Sequence, residues 1–313
     1  MRLIIAFLKL VRWPNLVFIA ITQLLYYYCI LPFVYRDSPS LYKRLLTNTD
    51  FYLLLLASVL IAAAGYIIND YFDLNIDRIN KPSELIVERY IRRRSAILLH
   101  ILISFSGMAL SAYVGYRLRN IFIPVFNLIS ILSLWFYSTT FKKKILIGNI
   151  LISLLTAWVI LVLMLAEYKR TDIFTDHGTL SKLLKVSFLF AGFAFVISLI
   201  REVVKDMEDI LGDSRYGCQT MPIVWGIPVS KVFAGVWIAV LSGSLVIVQF
   251  YVWNLGWWVS SIYSICLILI PLLSILRRLY LAQTPADFHK ISKTIKLVML
   301  SGIFSMVFFR LHS

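Results

Sequence analysis

Apolar residues come along this chain in long runs, separated by short polar clusters at intervals close to the thickness of a bilayer. Nine runs read as membrane-crossing helices, near 14–35, 51–69, 96–115, 121–138, 146–166, 186–200, 230–252, 256–275 and 295–310. About 20 helical residues cross a hydrocarbon core, and tilt or interfacial aromatics accommodate the shorter runs. Proline and charge mark the borders. The first run follows Arg12-Trp-Pro-Asn15 and the sixth ends at Arg201. Trp and Tyr gather near the run ends, as in an interfacial belt. The expected fold class is an all-α integral membrane protein of nine transmembrane helices, with residues 1–313 as one domain in the lipid bilayer.

Composition sharpens this. The chain is 60% hydrophobic and 15% charged, with a mean hydropathy of +0.83, whereas a soluble domain is about 25% charged. A net charge of +15 invites a nucleic-acid partner. The pattern excludes one, because the cations lie in short loops between apolar runs rather than on one stripe. The N-terminus and the connections after runs two, four, six and eight, with the adjoining run starts, hold 21 of the 31 Lys and Arg residues. The positive-inside rule then puts the N-terminus in the cytoplasm and the C-terminus outside. Cys29, Cys218 and Cys266 are widely spaced and read as packing residues. No small-residue cleavage site follows the first apolar run, so no removable signal peptide is read.

The few acids are concentrated. Asp70, Asp73 and Asp77 recur in spacing as Asp206, Asp209 and Asp213, and these six are drawn from only 16 Asp and Glu in the chain. Positions i, i+3 and i+7 fall within roughly 60° of one helix face. Three carboxylates on one face repel each other unless a cation joins them. Both triads fall at ends of runs assigned to the cytoplasmic side, four runs apart, which suggests an internal repeat of runs two to five and six to nine.

Hard oxygen ligands at this spacing suit Mg²⁺, which is usually held by one or two carboxylates together with substrate phosphates. Triads facing each other across a pocket would present Mg²⁺ to a diphosphate and stabilise it as a leaving group. In a greasy pocket the natural diphosphate is an isoprenyl one, whose allylic cation aromatic faces such as Tyr66, Tyr71 and Phe72 can shield. Asn69 lies on the face of Asp73 and Asp77 and can join the metal shell. Lys205 takes the corresponding place before the second triad, where a charged lysine neutralises a carboxylate or touches the diphosphate. Asp73 and Asp209, central in their triads, are the expected catalytic pair. Glu208 lies off the triad face and reads as solvated or paired with a loop arginine. Arg92, Arg93 and Arg94 read as headgroup contacts, and Lys290, Lys293 and Lys296 as a basic helix start. His289 reads as non-catalytic.

Asn69-Asp-Tyr-Phe-Asp-Leu-Asn-Ile-Asp77 resembles the NDxxDxxxD signature of the UbiA superfamily of intramembrane prenyltransferases, and Asp209-Ile-Leu-Gly-Asp213 resembles its second motif. Tyr137-Ser138 followed by Lys142 is similar to the YSxxxK loop, and Arg12-Trp-Pro-Asn15 falls at the mouth of the first helix. The resemblance implies helices around a central cavity with a cytoplasmic-side cap. It also implies Mg²⁺ as cofactor and an isoprenyl diphosphate and a membrane-soluble acceptor as partners. Arg12, Asn15, Tyr137, Lys142 and Lys205 become substrate-binding candidates. Arg201-Glu-Val-Val-Lys-Asp-Met-Glu-Asp-Ile and Asp77-Arg-Ile-Asn-Lys-Pro82 look most like the branch that alkylates a glycerol-phosphate ether hydroxyl, in a bacterial or archaeal cell membrane. After Pro82 the chain departs from the small, glycine-containing turn of the family. Two other readings stay open: an aromatic acceptor, as in quinone biosynthesis, and a divalent-cation transporter. Triads at span ends disfavour transport, because transporter sites usually lie near the midplane.

Overall fold

The computed structural model describes residues 2–37, 46–80, 82, 85–168 and 177–312. Lys81 and Ser83, part of the segment that follows the first triad, lie outside them. Among the described residues nine helices are long and apolar enough to cross a membrane. They are α1 (Trp13–Tyr35), α2 (Asn48–Asn80), α3 (Arg93–Arg117), α4 (Phe122–Thr139), α5 (Ile147–Tyr168), α6 (Gly178–Glu208), α7 (Gly226–Asn254), α8 (Trp258–Leu281) and α9 (Pro285–Leu311). Each expected run corresponds to one of them.

Several helix borders differ from the expectation. α2 continues past residue 69 to Asn80, because Leu74 and Ile76 keep one side buried after the uniformly apolar stretch has ended. α6 continues past Arg201 to Glu208, because Val203, Val204 and Met207 are fully buried. α9 begins at Pro285 rather than 295, behind a capping box. Thr284 accepts from the Asp287 N–H, and the Asp287 carboxylate accepts from the Thr284 N–H. Both triads therefore sit on helical extensions of the membrane spans.

α1 and α8 each hold a wide π-type turn, over Tyr26–Ile30 and Ile265–Leu269, directly before Pro32 and Pro271. Proline has no N–H to donate and its ring crowds the preceding turn. The wider turn relieves that crowding without breaking the helix.

The chain divides into two compact units, Met1–Lys142 with Trp158–Phe188, and Lys143–Ala157 with Leu189–Ser313. In the first, Ala6, Leu10 and Val11 of the N-terminal segment pack with Ala63, Ile67 and Leu74 of α2 and with Ile86, Val87 and Ile91. Small residues bring the spans close. A Cβ on Gly107 would lie 3.0 Å from Ile61, and one on Gly65 2.8 Å from Leu134, as expected where helices associate by close packing in lipid. The fully buried Glu167 accepts from Tyr35 Oη at 2.7 Å and from the Leu46 N–H at 3.1 Å. In the second unit Ile197, Ile200 and Val204 of α6 share one core with Ile238 of α7, Leu272 and Ile275 of α8, and Ile291, Ile295 and Val298 of α9. Cys29, Cys218 and Cys266 are free thiols, the first two buried.

Candidate active site

The first triad occupies the last three turns of α2. Asn69 and Asp73, one turn apart, are joined directly: Asn69 Nδ2 donates to Asp73 Oδ2 at 2.7 Å. The other oxygen of Asp73 accepts from Lys142 Nζ, which comes from the short 3-10 turn Phe141–Lys143 after α4. Asp70 is held from another side, with Arg12 Nη2 2.8 Å from its Oδ1. The Arg12 guanidinium also lies 5.3 Å from the Tyr66 ring centre and feels the charge of Asp77. Arg12 is the residue before α1, and its backbone is left-handed, with φ 50° and ψ 53°. Its carbonyl accepts from the Asn15 N–H at 2.8 Å, closing the first turn. Thus Arg12, Asn69, Asp70, Asp73 and Lys142, chosen from sequence, come together. Asn15 and Tyr137 lie on the helix ends that carry Arg12 and lead to Lys142. Tyr66 and Tyr71, expected to offer faces to a carbocation, offer them to Arg12 and Arg93, the latter at 4.7 Å.

The second triad is built differently, and this corrects the expectation of a second uninterrupted carboxylate face. α6 ends at Glu208. Asp209, with φ −92° and ψ 7°, joins it to a separate short helix, Ile210–Arg215. Asp206 therefore belongs to the long helix and Asp213 to the short one. The Asp209 N–H still donates to the Lys205 carbonyl at 2.8 Å, so the joint is bonded to the last turn of α6. Asp206 Oδ2 accepts from Asn149 Nδ2 of α5 at 2.8 Å. Lys205 Nζ lies 3.6 Å from Glu202, a buried carboxylate that also accepts from Arg201 Nη1 at 2.9 Å. Glu208 pairs with His289 Nδ1 at 2.7 Å rather than with a loop arginine.

Among the described residues no three His, Cys, Asp or Glu side chains are gathered closely enough to hold a metal ion by themselves. The donor set nonetheless suits a hard cation. Asn69 turns its NH₂ to Asp73, which leaves Asn69 Oδ1 buried with no hydrogen-bond donor. A buried carbonyl oxygen beside a carboxylate is a donor pair that could hold magnesium together with substrate oxygens.

The model of the UbiA prenyltransferase family matches residues 41–297. The chain belongs to that family. It is an integral membrane prenyltransferase. Its relatives include the digeranylgeranylglyceryl phosphate synthase of Sulfurisphaera tokodaii, 31% identical over 214 residues, or 68% of this chain and 71% of that one. The synthase of the same name from Saccharolobus solfataricus is 32% identical over 252 residues, 79% and 80% of the two chains. A solved digeranylgeranylglyceryl phosphate synthase structure matches with a TM-score of 0.62 and 25% identity, covering 98% of this chain and 99% of that one. A UbiA homolog from Archaeoglobus fulgidus, solved with DMAPP and Mg²⁺, shares the fold at TM-score 0.58 and 18% identity, covering 96% and 98%.

Within this UbiA-family chain, Asn149 is the site neighbour that sequence reasoning passed over, and Arg201 and Glu202, read as part of a branch-like motif, were given no role. Asn149 stands alone in an apolar helix, with no local pattern to mark it. Arg201 and Glu202 read as the end of a span because α6 was expected to stop there. Charged residues inside a membrane helix are rare and mark functional positions, and that signal identifies both once the helix is seen to continue.

Proposed function

We propose that this prenyltransferase moves an isoprenyl group from its diphosphate to the free hydroxyl of a phosphorylated glycerol ether, at the cytoplasmic side of a bacterial or archaeal membrane. The N-terminus lies in the cytoplasm and the C-terminus outside. The named relatives support the acceptor, and the cation asymmetry of the loops supports the orientation. The observation that carries the diphosphate end is Asn69 Oδ1, buried without a donor beside the Asp73 carboxylate.

Asn69, Asp70, Asp73 and Asp77 of the first triad would hold magnesium, as would Asp206, Asp209 and Asp213 of the second; magnesium bound to them would supply positive charge to the leaving diphosphate as the allylic C–O bond breaks. Lys142 and Arg12 hold Asp73 and Asp70 in place and have further N–H groups to offer the diphosphate. Lys205 does the same in the second unit, and Asn15 and Tyr137 shape the site mouth. Asp73 and Asp209 are the carboxylates on which turnover depends most. The acceptor hydroxyl forms the new C–O bond with the allylic carbon, and its proton passes to a carboxylate or to the departing diphosphate.

The test uses purified protein in liposomes with labelled geranylgeranyl diphosphate. Label is expected in an ether product only with both Mg²⁺ and geranylgeranylglyceryl phosphate. Transfer to an aromatic acid instead, with none to the glycerol ether, would sink the acceptor assignment.

A further inference from the structure

After Pro82 the chain replaces the glycine-containing turn of the family with a turn built on a carboxylate. Val87 and Ile91 face each other across Glu88-Arg89-Tyr90. The Glu88 N–H donates to the Ile91 carbonyl at 2.9 Å, and the Tyr90 N–H to the Ile86 carbonyl at 2.9 Å. Glu88 has a left-handed backbone, with φ 68°, a conformation that glycine or asparagine takes at less cost. Ile86, Val87 and Ile91 anchor the turn, in one core with Leu10 and Val11 of the N-terminal segment and Ile67 and Leu74 of α2.

From this turn the Glu88 carboxylate reaches two helices. One oxygen accepts from Arg78 Nη2 at 2.6 Å, and the other lies 3.8 Å from Arg93 Nη1. Arg78 directly follows Asp77 near the end of α2, and its Nη1 also donates to Asn75 Oδ1 at 3.3 Å. Arg93 opens α3 and lies over the ring of Tyr71, which stands between Asp70 and Asp73 in the chain. Glu88 thus ties the end of α2 to the start of α3. That end is weakly held by packing, since Ile76 is the last buried residue of α2. It also carries Asp73 and Asp77 in its last two turns, where carboxylates meet the negative end of the helix dipole.

We propose that Glu88 is a positioning residue for Asp77: through Arg78 it keeps the last turn of α2 helical and so holds Asp77 in register with Asp73. This rests on the magnesium role given to the first triad above. The turn alone does not account for a glutamate, because glycine would form it without strain and Ile86, Val87 and Ile91 already clasp it to the core. A charge kept at a strained position, on the cation next to Asp77, accounts for it. Exposed ion pairs are individually weak. The terminal turn of a helix opens at low cost, however, so a weak tie is enough to change how often it is formed.

The experiment compares Glu88→Asn, which suits the left-handed turn but lacks the charge, with Glu88→Asp, which keeps the charge. Hydrogen exchange is followed in the purified full-length protein without added Mg²⁺, and the Mg²⁺ dependence of prenyl transfer is measured separately. In Glu88→Asn the amides of residues 75–80 are expected to exchange about two- to fivefold faster, while those of residues 54–64 stay unchanged. The Mg²⁺ concentration at half-maximal transfer is expected to rise by about the same factor. Arg78→Gln is expected to behave as Glu88→Asn does, and Glu88→Asp to recover most of both changes. Unchanged exchange at residues 75–80 overturns the proposal, and so does equal acceleration along the whole of α2. A Mg²⁺ curve that moves in Asp77→Asn but not in Glu88→Asn overturns it too. A curve unmoved in Asp77→Asn sinks the magnesium role of Asp77 instead, and faster exchange confined to residues 75–80 then still upholds the hold of Glu88 on α2.

Discussion

Asn149 Nδ2 lies 2.8 Å from Asp206 Oδ2, so a lone amide on α5 sets the orientation of the first carboxylate of the second triad. One Asp206 oxygen is thereby engaged, and in the proposed site the other would serve the metal. Partners that orient metal ligands typically change metal affinity by about 10- to 100-fold when removed. Asn149→Leu is therefore expected to raise the Mg²⁺ concentration at half-maximal transfer by about tenfold or more. A Mg²⁺ titration of the purified variant that overlays the wild type would refute this role.

Asp73 is the busiest carboxylate of the first triad, taken by Asn69 on one oxygen and Lys142 on the other. Asp73→Asn keeps the size but removes the charge. Losing one preorganised charge-stabilising group commonly lowers turnover by about 10²- to 10³-fold, and kcat is expected to fall on that scale. Asp209→Asn is expected to act in the same direction. Full activity in both, measured as diphosphate release with saturating acceptor, would remove the triads from catalysis.

Tyr35 donates to Glu167, whose side chain is fully shielded from solvent. Tyr35→Phe removes one donor to a buried charged group, which costs about 1–3 kcal/mol. Thermal unfolding in detergent is expected several degrees lower, while transfer per folded molecule stays at the wild-type level. An unchanged melting point would show that Glu167 finds another donor there.

Gly115 ends α3 against the start of α4. A Cβ there would come 2.6 Å from Pro124 Cδ and 3.0 Å from the Asn120 carbonyl oxygen. Neither a proline ring nor a backbone oxygen yields easily. Alanine gains about 1 kcal/mol in helix propensity, but overpacking costs about 1–3 kcal/mol, and Gly115→Val adds more atoms to the same space. Gly115→Val is expected to lower expression and melting temperature more than Gly115→Ala; equal stability of the two would show that α4 moves aside.

The nine spans were legible because membrane helices announce themselves by length and apolarity. Their ends were not. A hydropathy window stops at the first polar group, whereas a helix continues as long as one side stays packed, as Leu74 and Met207 show beyond the expected ends of α2 and α6. The first triad could be read from spacing alone because it lies on one continuous helix. The equal spacing of the second concealed a joint at Asp209, which local sequence does not encode strongly. Lys142 was reachable through a motif. Asn149 was not, since its partner is 57 residues away. Glu208 met His289, 81 residues on, for the same reason: pairing across helices follows register, which a single span does not contain.

Arg12 holds its guanidinium on Asp70 from a left-handed backbone conformation that residues with a Cβ mostly avoid, at a cost of about 1–2 kcal/mol. The ion pair offsets only part of that, because the Arg12 side chain is 38% exposed and such pairs contribute about 0–1 kcal/mol. Glycine at position 12 would therefore make a sturdier protein and a poorer enzyme. Selection for thermal tolerance alone would drift toward glycine there, and only selection on product would keep the arginine.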